Sequence, residues 1–158
     1  MMNRTGALIG FEMRVTANNR QEHDMKVLIV ESDPNLGLIW KRHLKRFGHA
    51  VELAYSQDGA VLALQKIAVD MVILNLVLDH GSAFAVSDII SYRYPKAKVI
   101  FVTDTSFFSD GSIFKLAPNA CAFLRTQTPP EDLAAMVEHF GSAAMMQPTP
   151  AEHAPVPI

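Results

Sequence analysis

Short apolar bursts alternate with amphipathic stretches through most of this chain. KVLIV (26–30) is a continuous, β-branched run, the pattern of a strand covered on both faces. ESDPN follows, with Asp33 placed to cap a helix and Pro34 at its first position. Leu36, Ile39, Trp40, Leu44 and Phe47 then recur at helical spacing on one face, and Gly48 stops the helix. VELA (51–54) reads as a second strand, followed by a helix over 60–66 with Ala60, Val61 and Leu64 facing inward. MVILNLVL (71–78) is the third and most apolar strand, interrupted by a single amide, Asn75. A helix over 84–92 precedes Pro95, and KVIFVT (98–103) is the fourth strand. A helix weakened by Gly111 falls within 106–117. CAFL (121–124) is the fifth strand, and Cys121 at its start reads as a small core residue. PEDLAAMVEHF (130–140) is the last helix, with Gly141 past its end.

Strict alternation of short apolar strands with helices specifies a parallel sheet wrapped on both sides. Five such units make a doubly wound sheet in three α/β/α layers. Function in that architecture gathers beyond the carboxyl ends of the strands, where the strand order reverses. The residues placed there are Glu31, Ser32 and Asp33, the stretch from Asn75 to Gly81, Thr103 with Asp104, and Thr126 with Gln127.

The ends of the chain differ from its middle. Residues 1–24 form an appendage in which FEMRV alternates like a short edge strand, and MKVLIV from Met25 would serve equally as a start. Residues 141–158 hold four of the nine prolines and read as an extended, disordered tail. The ordered domain is therefore expected over 25–140. Formal net charge is −2, so bulk electrostatics favours neither nucleic acid nor an anionic membrane. The single cysteine allows no intrachain disulfide, and no apolar run approaches the roughly 20 residues of a membrane helix. A cytoplasmic location is expected.

The order of these pieces resembles the receiver domain of two-component response regulators. VLIVESDP is similar to the opening strand and acidic cluster of that family, and RFGHAVELA to its first helix end and second strand. VDMVILNLVLDHGSA resembles the segment bearing the phosphorylated aspartate, VIFVTD the fourth strand with its hydroxyl residue, and NACAFLRT the fifth. The resemblance covers about residues 26–140 and implies a flavodoxin-like (βα)5 fold. It also implies a chemistry: an aspartate nucleophile, a divalent ion, usually Mg²⁺, on nearby acids, and a lysine and a hydroxyl on the phosphoryl oxygens.

Matched position by position, that chemistry is incomplete here. Glu31 stands at the first acid, but Ser32 at the acid nearest the metal, Asn75 at the phosphoacceptor, and Thr126 and Gln127 at the usual Lys-Pro pair. Thr103 keeps the hydroxyl. Asn75 has nearly the shape of aspartate without its charge. The expected result is a neutral hydrogen-bonded plug, with Ser32 or Thr103 as partners of Asn75, neither Mg²⁺ nor catalysis being expected. Glu31 and Asp33 are the weak candidates for a cation. Phe123 matches the switch aromatic of the family but lacks a hydroxyl, which favours a fixed core position. Of Phe107 and Phe108, adjacent on a short element, one is a candidate for an exposed contact surface.

The resulting expectation is a degenerate receiver-like domain, not an enzyme, that acts through protein contact without phosphorylation at the usual site. Its partner would be a histidine kinase, another regulator, or a second copy of itself. The family's usual contact face implies residues 105–118 and 130–140. Two alternatives stand beside it. One is a phosphorelay shuttle using Asp33, Asp79 or Asp104 as an unorthodox acceptor. The other is a nucleotide or flavin binder, against which ESDPN stands where a glycine-rich phosphate turn belongs.

Overall fold

The computed structural model describes residues 24–104, 115 and 117–146, with side chains up to residue 141. Five parallel strands form one sheet in the order β2-β1-β3-β4-β5: β1 Lys26–Val30, β2 Ala50–Ala54, β3 Met71–Asn75, β4 Lys98–Thr103 and β5 Ala120–Arg125. The described helices are α1 Pro34–Arg46, α2 Gln57–Lys66, α3 Ala83–Arg93 and α4 Pro130–Met146. The architecture is the doubly wound α/β sandwich expected from the alternation, with the flavodoxin-like strand order that the resemblance implies.

Because successive strand side chains point to opposite faces, each strand feeds two cores. Val27, Ile29, Met71, Ile73, Ile100 and Val102 face α1 and α4, where Trp40, Leu44, Leu133 and Val137 meet them. Leu28, Val30, Val72, Leu74, Val99 and Phe101 face α2 and α3, packing with Ala60, Leu64, Val86 and Ile90. This double burial is why the strands read as unbroken apolar runs.

Several boundaries differ from the sequence expectation. Helix α2 starts at Gln57, because Ser56 accepts the Gly59 N–H at 3.1 Å and caps it. Helix α1 begins where Asp33 and Pro34 predict, its cap oxygen accepting the Asn35 and Leu36 N–H groups. Ile39 and Phe47, expected inside, are exposed, while Gly37 is buried. Phe47 is the C-cap, beyond the last helical residue Arg46, and Ile39 lies about 100° around the axis from Trp40, so neither continues the inward stripe that Trp40 and Leu44 define. β3 stops at Asn75 and not at Leu78: Val77 is 66% exposed, and Leu76 holds the Val102 carbonyl at 2.8 Å by its N–H.

α4 does not stop at Gly141. It continues to Met146, so the tail expected from residue 141 begins with helix. The glycine serves a close approach, since a Cβ there would lie 2.3 Å from the sulfur of Met25. By contrast, Gly48 takes the left-handed φ of 93° that ends α1 as expected. The proposed edge strand at 11–15, the helix within 106–117, Phe107 and Phe108 lie wholly or mostly outside the described residues.

Two further features were not anticipated. Buried His49 accepts the Met25 N–H on Nδ1 at 3.1 Å, so its proton sits on Nε2 and is directed to Glu138 of α4. The imidazole thus ties the start of β1 to the last helix. In β5, Val99 pairs with Ala120 and Ile100 with Ala122, which makes Cys121 an extra residue in the ladder. Cys121 is half-buried against the α1/α4 core, and burial pushes its thiol up to about 11.

Two outcomes follow from this packing. The thiol of Cys121 stays protonated at pH 8, so iodoacetamide is expected to alkylate the native protein at least about tenfold more slowly than the denatured chain. In thermal or urea unfolding, Gly141→Ala is expected within about 1 kcal/mol of the parent, because a gain in helix propensity offsets the displacement of the flexible Met25 tip. Gly141→Leu, which must also displace the Met25 stem, is expected to cost about 1–3 kcal/mol.

Candidate functional site

The strand order reverses between β1 and β3, so their carboxyl ends open a crevice. Register places Val30 opposite Leu74 and Asn75 opposite Val102, bringing Glu31, Asn75 and Thr103 to one level. Glu31 is 3% exposed, and its own N–H is held by the Ala54 carbonyl at 3.0 Å. A carboxylate this deep requires donors. One oxygen accepts the Asn75 Nδ2–H at 2.7 Å, and the other accepts the Asp33 N–H at 3.0 Å.

Asn75 completes the pattern in the opposite sense. Its Oδ1 accepts the Val77 N–H at 3.0 Å. The two contacts fix the amide orientation, because the carboxylate needs a donor and the backbone N–H an acceptor. The same contact bends the chain after Asn75, which explains why the apolar run LVL does not extend β3.

Ser32 does not bond to Asn75 as expected. Its hydroxyl donates to the Tyr55 carbonyl at 3.0 Å and accepts the Asp79 N–H at 2.9 Å. It therefore joins the end of β1 to the turn after β2 and to the β3–α3 loop. Gln57 holds the far end of that loop: its N–H donates to the His80 carbonyl at 3.1 Å, and its Oε1 accepts the Ser82 N–H at 2.8 Å.

Asn75, Val77, Thr103, Asp104 and Thr126 line a pocket of about 410 Å³ beside this network. Thr103 is buried at the end of β4, Thr126 is half-buried in the turn after β5, and neighbouring Gln127 is exposed. Among the described residues no lysine or arginine lines the pocket, and the one charged group lining it is Asp104, exposed at the rim. The expectation of a neutral plug is thus corrected. The crevice is hydrogen-bonded, but it retains the buried carboxylate of Glu31, and that carboxylate is the partner of Asn75.

The residues present do not suit a magnesium ion. Both Glu31 oxygens already receive N–H donors, Asp33 is committed to the N-terminus of α1, and Asn75 Oδ1 is occupied by backbone. A hard dication needs several free, preferably anionic oxygens. Among the described residues no group of three or more His, Cys, Asp or Glu side chains could hold a metal. Of the unorthodox acceptor candidates, Asp33 caps a helix, whereas Asp79 and Asp104 have exposed side chains. His80 is exposed in the loop. Phe123 is half-buried against the α2/α3 core, opposite Phe101 on β4, so it is less enclosed than expected.

Gln57 and Tyr55 are the site residues that sequence reasoning missed. A glutamine at a helix start carries no motif; only the loop it fastens reveals it. Among the described residues, no helix is long and apolar enough to cross a membrane.

No protein-family model matches the sequence, and no curated protein matches it. Solved structures do. A CheY-like response regulator receiver domain protein from Methanospirillum hungatei JF-1 is 20% identical, with a TM-score of 0.69 over 77% of this chain and 96% of that one. The non-phosphorylated HemR receiver domain from Leptospira biflexa is 22% identical, with a TM-score of 0.66 over 80% of this chain and 98% of that one. The BeF3-activated DrrB receiver domain is 23% identical, with a TM-score of 0.63 over 74% of this chain and 97% of that one. The chain therefore has the fold of response-regulator receiver domains.

Proposed function

We propose that this chain is a receiver-like domain of two-component signalling that acts by protein contact and takes no phosphoryl group at residue 75. The observation that carries this reading is the 2.7 Å bond from Asn75 Nδ2 to the buried Glu31 carboxylate. Where a receiver of the usual kind would set a divalent cation between two carboxylates, an amide N–H here satisfies the remaining acid. Among the described residues no free acidic pair is left to gather a cation, and no lysine or arginine lines the pocket to receive phosphoryl oxygens.

Two chemical consequences support the reading. The Asn75 amide has no charged oxygen with which to attack phosphorus. An incoming phosphoryl group would also approach a buried carboxylate without a neutralising cation, which electrostatics opposes. On this reading the domain catalyses nothing and uses neither metal nor cofactor.

Output then depends on surface alone. The outward face of α4 presents Glu131, Asp132, Ala135 and His139. That is a polar face, suited to a partner that reads charge, such as a histidine kinase or another regulator in the cytoplasm. The Ser32 and Gln57 contacts hold the β3–α3 loop in one arrangement, consistent with a domain that offers a constant surface and not a switched one.

Intact-mass measurement after incubation with acetyl phosphate or phosphoramidate and Mg²⁺ is expected to show no added phosphoryl group. A single addition, on any aspartate, would refute action by contact alone and favour an unorthodox acceptor. The triple variant Ser32→Asp/Asn75→Asp/Thr126→Lys is expected to accept one. Asn75→Asp alone is expected to lose about 1–3 kcal/mol of stability at pH 7, from a lost hydrogen bond and a second carboxylate facing Glu31. Mutual repulsion raises a carboxyl pKa in the folded variant above its unfolded value. The deficit therefore grows as pH rises through the carboxylate range and shrinks in acid, as urea unfolding at pH 7 and pH 4.5 would register.

A further inference from the structure

We propose that the cavity at the amino-terminal ends of β1, β3 and β4 binds a small amphipathic anion: an apolar body bearing one carboxylate, sulfonate or phosphate group. The cavity lies at the end of the sheet opposite the Asn75 crevice. Its volume is about 520 Å³, within the roughly 300–1,000 Å³ of small-molecule sites.

The floor is apolar and fixed. Met25, Val69 and Met71 are almost wholly buried, and half-buried Phe140 of α4 adds an aromatic wall. The hole is a product of the fold: Gly141 lets α4 close onto Met25, while the Tyr94–Ala97 turn after α3 carries the chain outward. A strongly polar ligand such as a free nucleotide would leave this floor unmatched.

The mouth has the opposite character. Among the described lining residues, Arg93, Lys96 and Lys98 face a single acid, Asp70. Asp70 is committed to the sheet, its Oδ2 accepting the Lys26 N–H at 2.8 Å. Among the described residues none of the three cations is paired with a carboxylate. Arg93 is placed over the Tyr94 ring, 5.9 Å from its centre, and the Tyr94 hydroxyl is itself anchored by donating to the Leu64 carbonyl at 2.6 Å. A cation would be repelled by this rim, and an uncharged apolar molecule would leave it without a counter-ion. An anion on an apolar stem satisfies both parts.

The test uses 8-anilinonaphthalene-1-sulfonate and its uncharged counterpart N-phenyl-1-naphthylamine on the full chain. Fluorescence titration is expected to show one saturable sulfonate site, with the uncharged probe at least about tenfold weaker. The amide NMR signals of Val69, Ala97 and Phe140 should shift, and those of Glu31 and Asn75 should not. Arg93→Glu/Lys96→Glu, a change of exposed side chains that circular dichroism should find folded, is expected to weaken the sulfonate about tenfold and leave the uncharged probe unchanged. Equal binding of the two probes, shifts confined to other amides, or no saturable binding would each overturn the proposal.

Discussion

A carboxylate buried at the meeting of two parallel strands must be answered by something, and in this protein an amide answers it. Glu31 is enclosed at the end of β1, where water cannot hydrate it. Two solutions are chemically open at such a point: a cation shared among several acids, or N–H donors aimed at each oxygen. Asn75 and the Asp33 backbone supply the second. The choice extends beyond Glu31. Because Asn75 gives its N–H to the acid, its oxygen is left to accept from Val77, and that contact ends β3 and starts the loop above the crevice. Ser32 then holds the loop through the Asp79 N–H. A short series of hydrogen bonds through Asn75 and Ser32 thus sets the strand length and the loop path of the site.

The sheet and its two cores were legible because burial on both faces leaves a simple trace: short β-branched runs with no polar alternation. Helix starts with side-chain caps were partly legible, as Asp33 and Pro34 show. Periodicity was less informative where it did not fix rotation, so Phe47 and Ile39 were placed inside although only Trp40 and Leu44 are deeply buried. The end of β3 was misplaced because composition cannot separate an apolar strand residue from an apolar loop residue. Val77 is as hydrophobic as Val72, and what distinguishes them is the Asn75 side chain bonding back to the main chain.

Features that rest on contacts distant in sequence left no local signal. Gly141 looks like a helix stop in isolation; the constraint that fixes it is the side chain of Met25, at the other end of the domain. His49 looks like a loop residue, yet it bridges the Met25 amide and Glu138. The site behaves similarly. The residue types at the strand ends were apparent, but the pairing of Asn75 with Glu31, and not with Ser32, depends on which atoms face each other once β1 and β3 are in register.

Net charge is a poor guide to either end of this sheet. The chain is close to neutral, at −2. Charges separated by more than roughly 8–10 Å are largely screened at physiological salt, so each end responds to its own few groups. At the carboxyl ends those groups, among the described residues, are the buried carboxylate of Glu31, the acids Asp33, Asp79 and Asp104, and neutral hydrogen-bonding side chains. At the amino ends, Arg93, Lys96 and Lys98 outnumber Asp70 around an apolar floor. On the two proposals, an anion disfavoured at one end is favoured at the other, and five strands of buried side chains lie between the two ends.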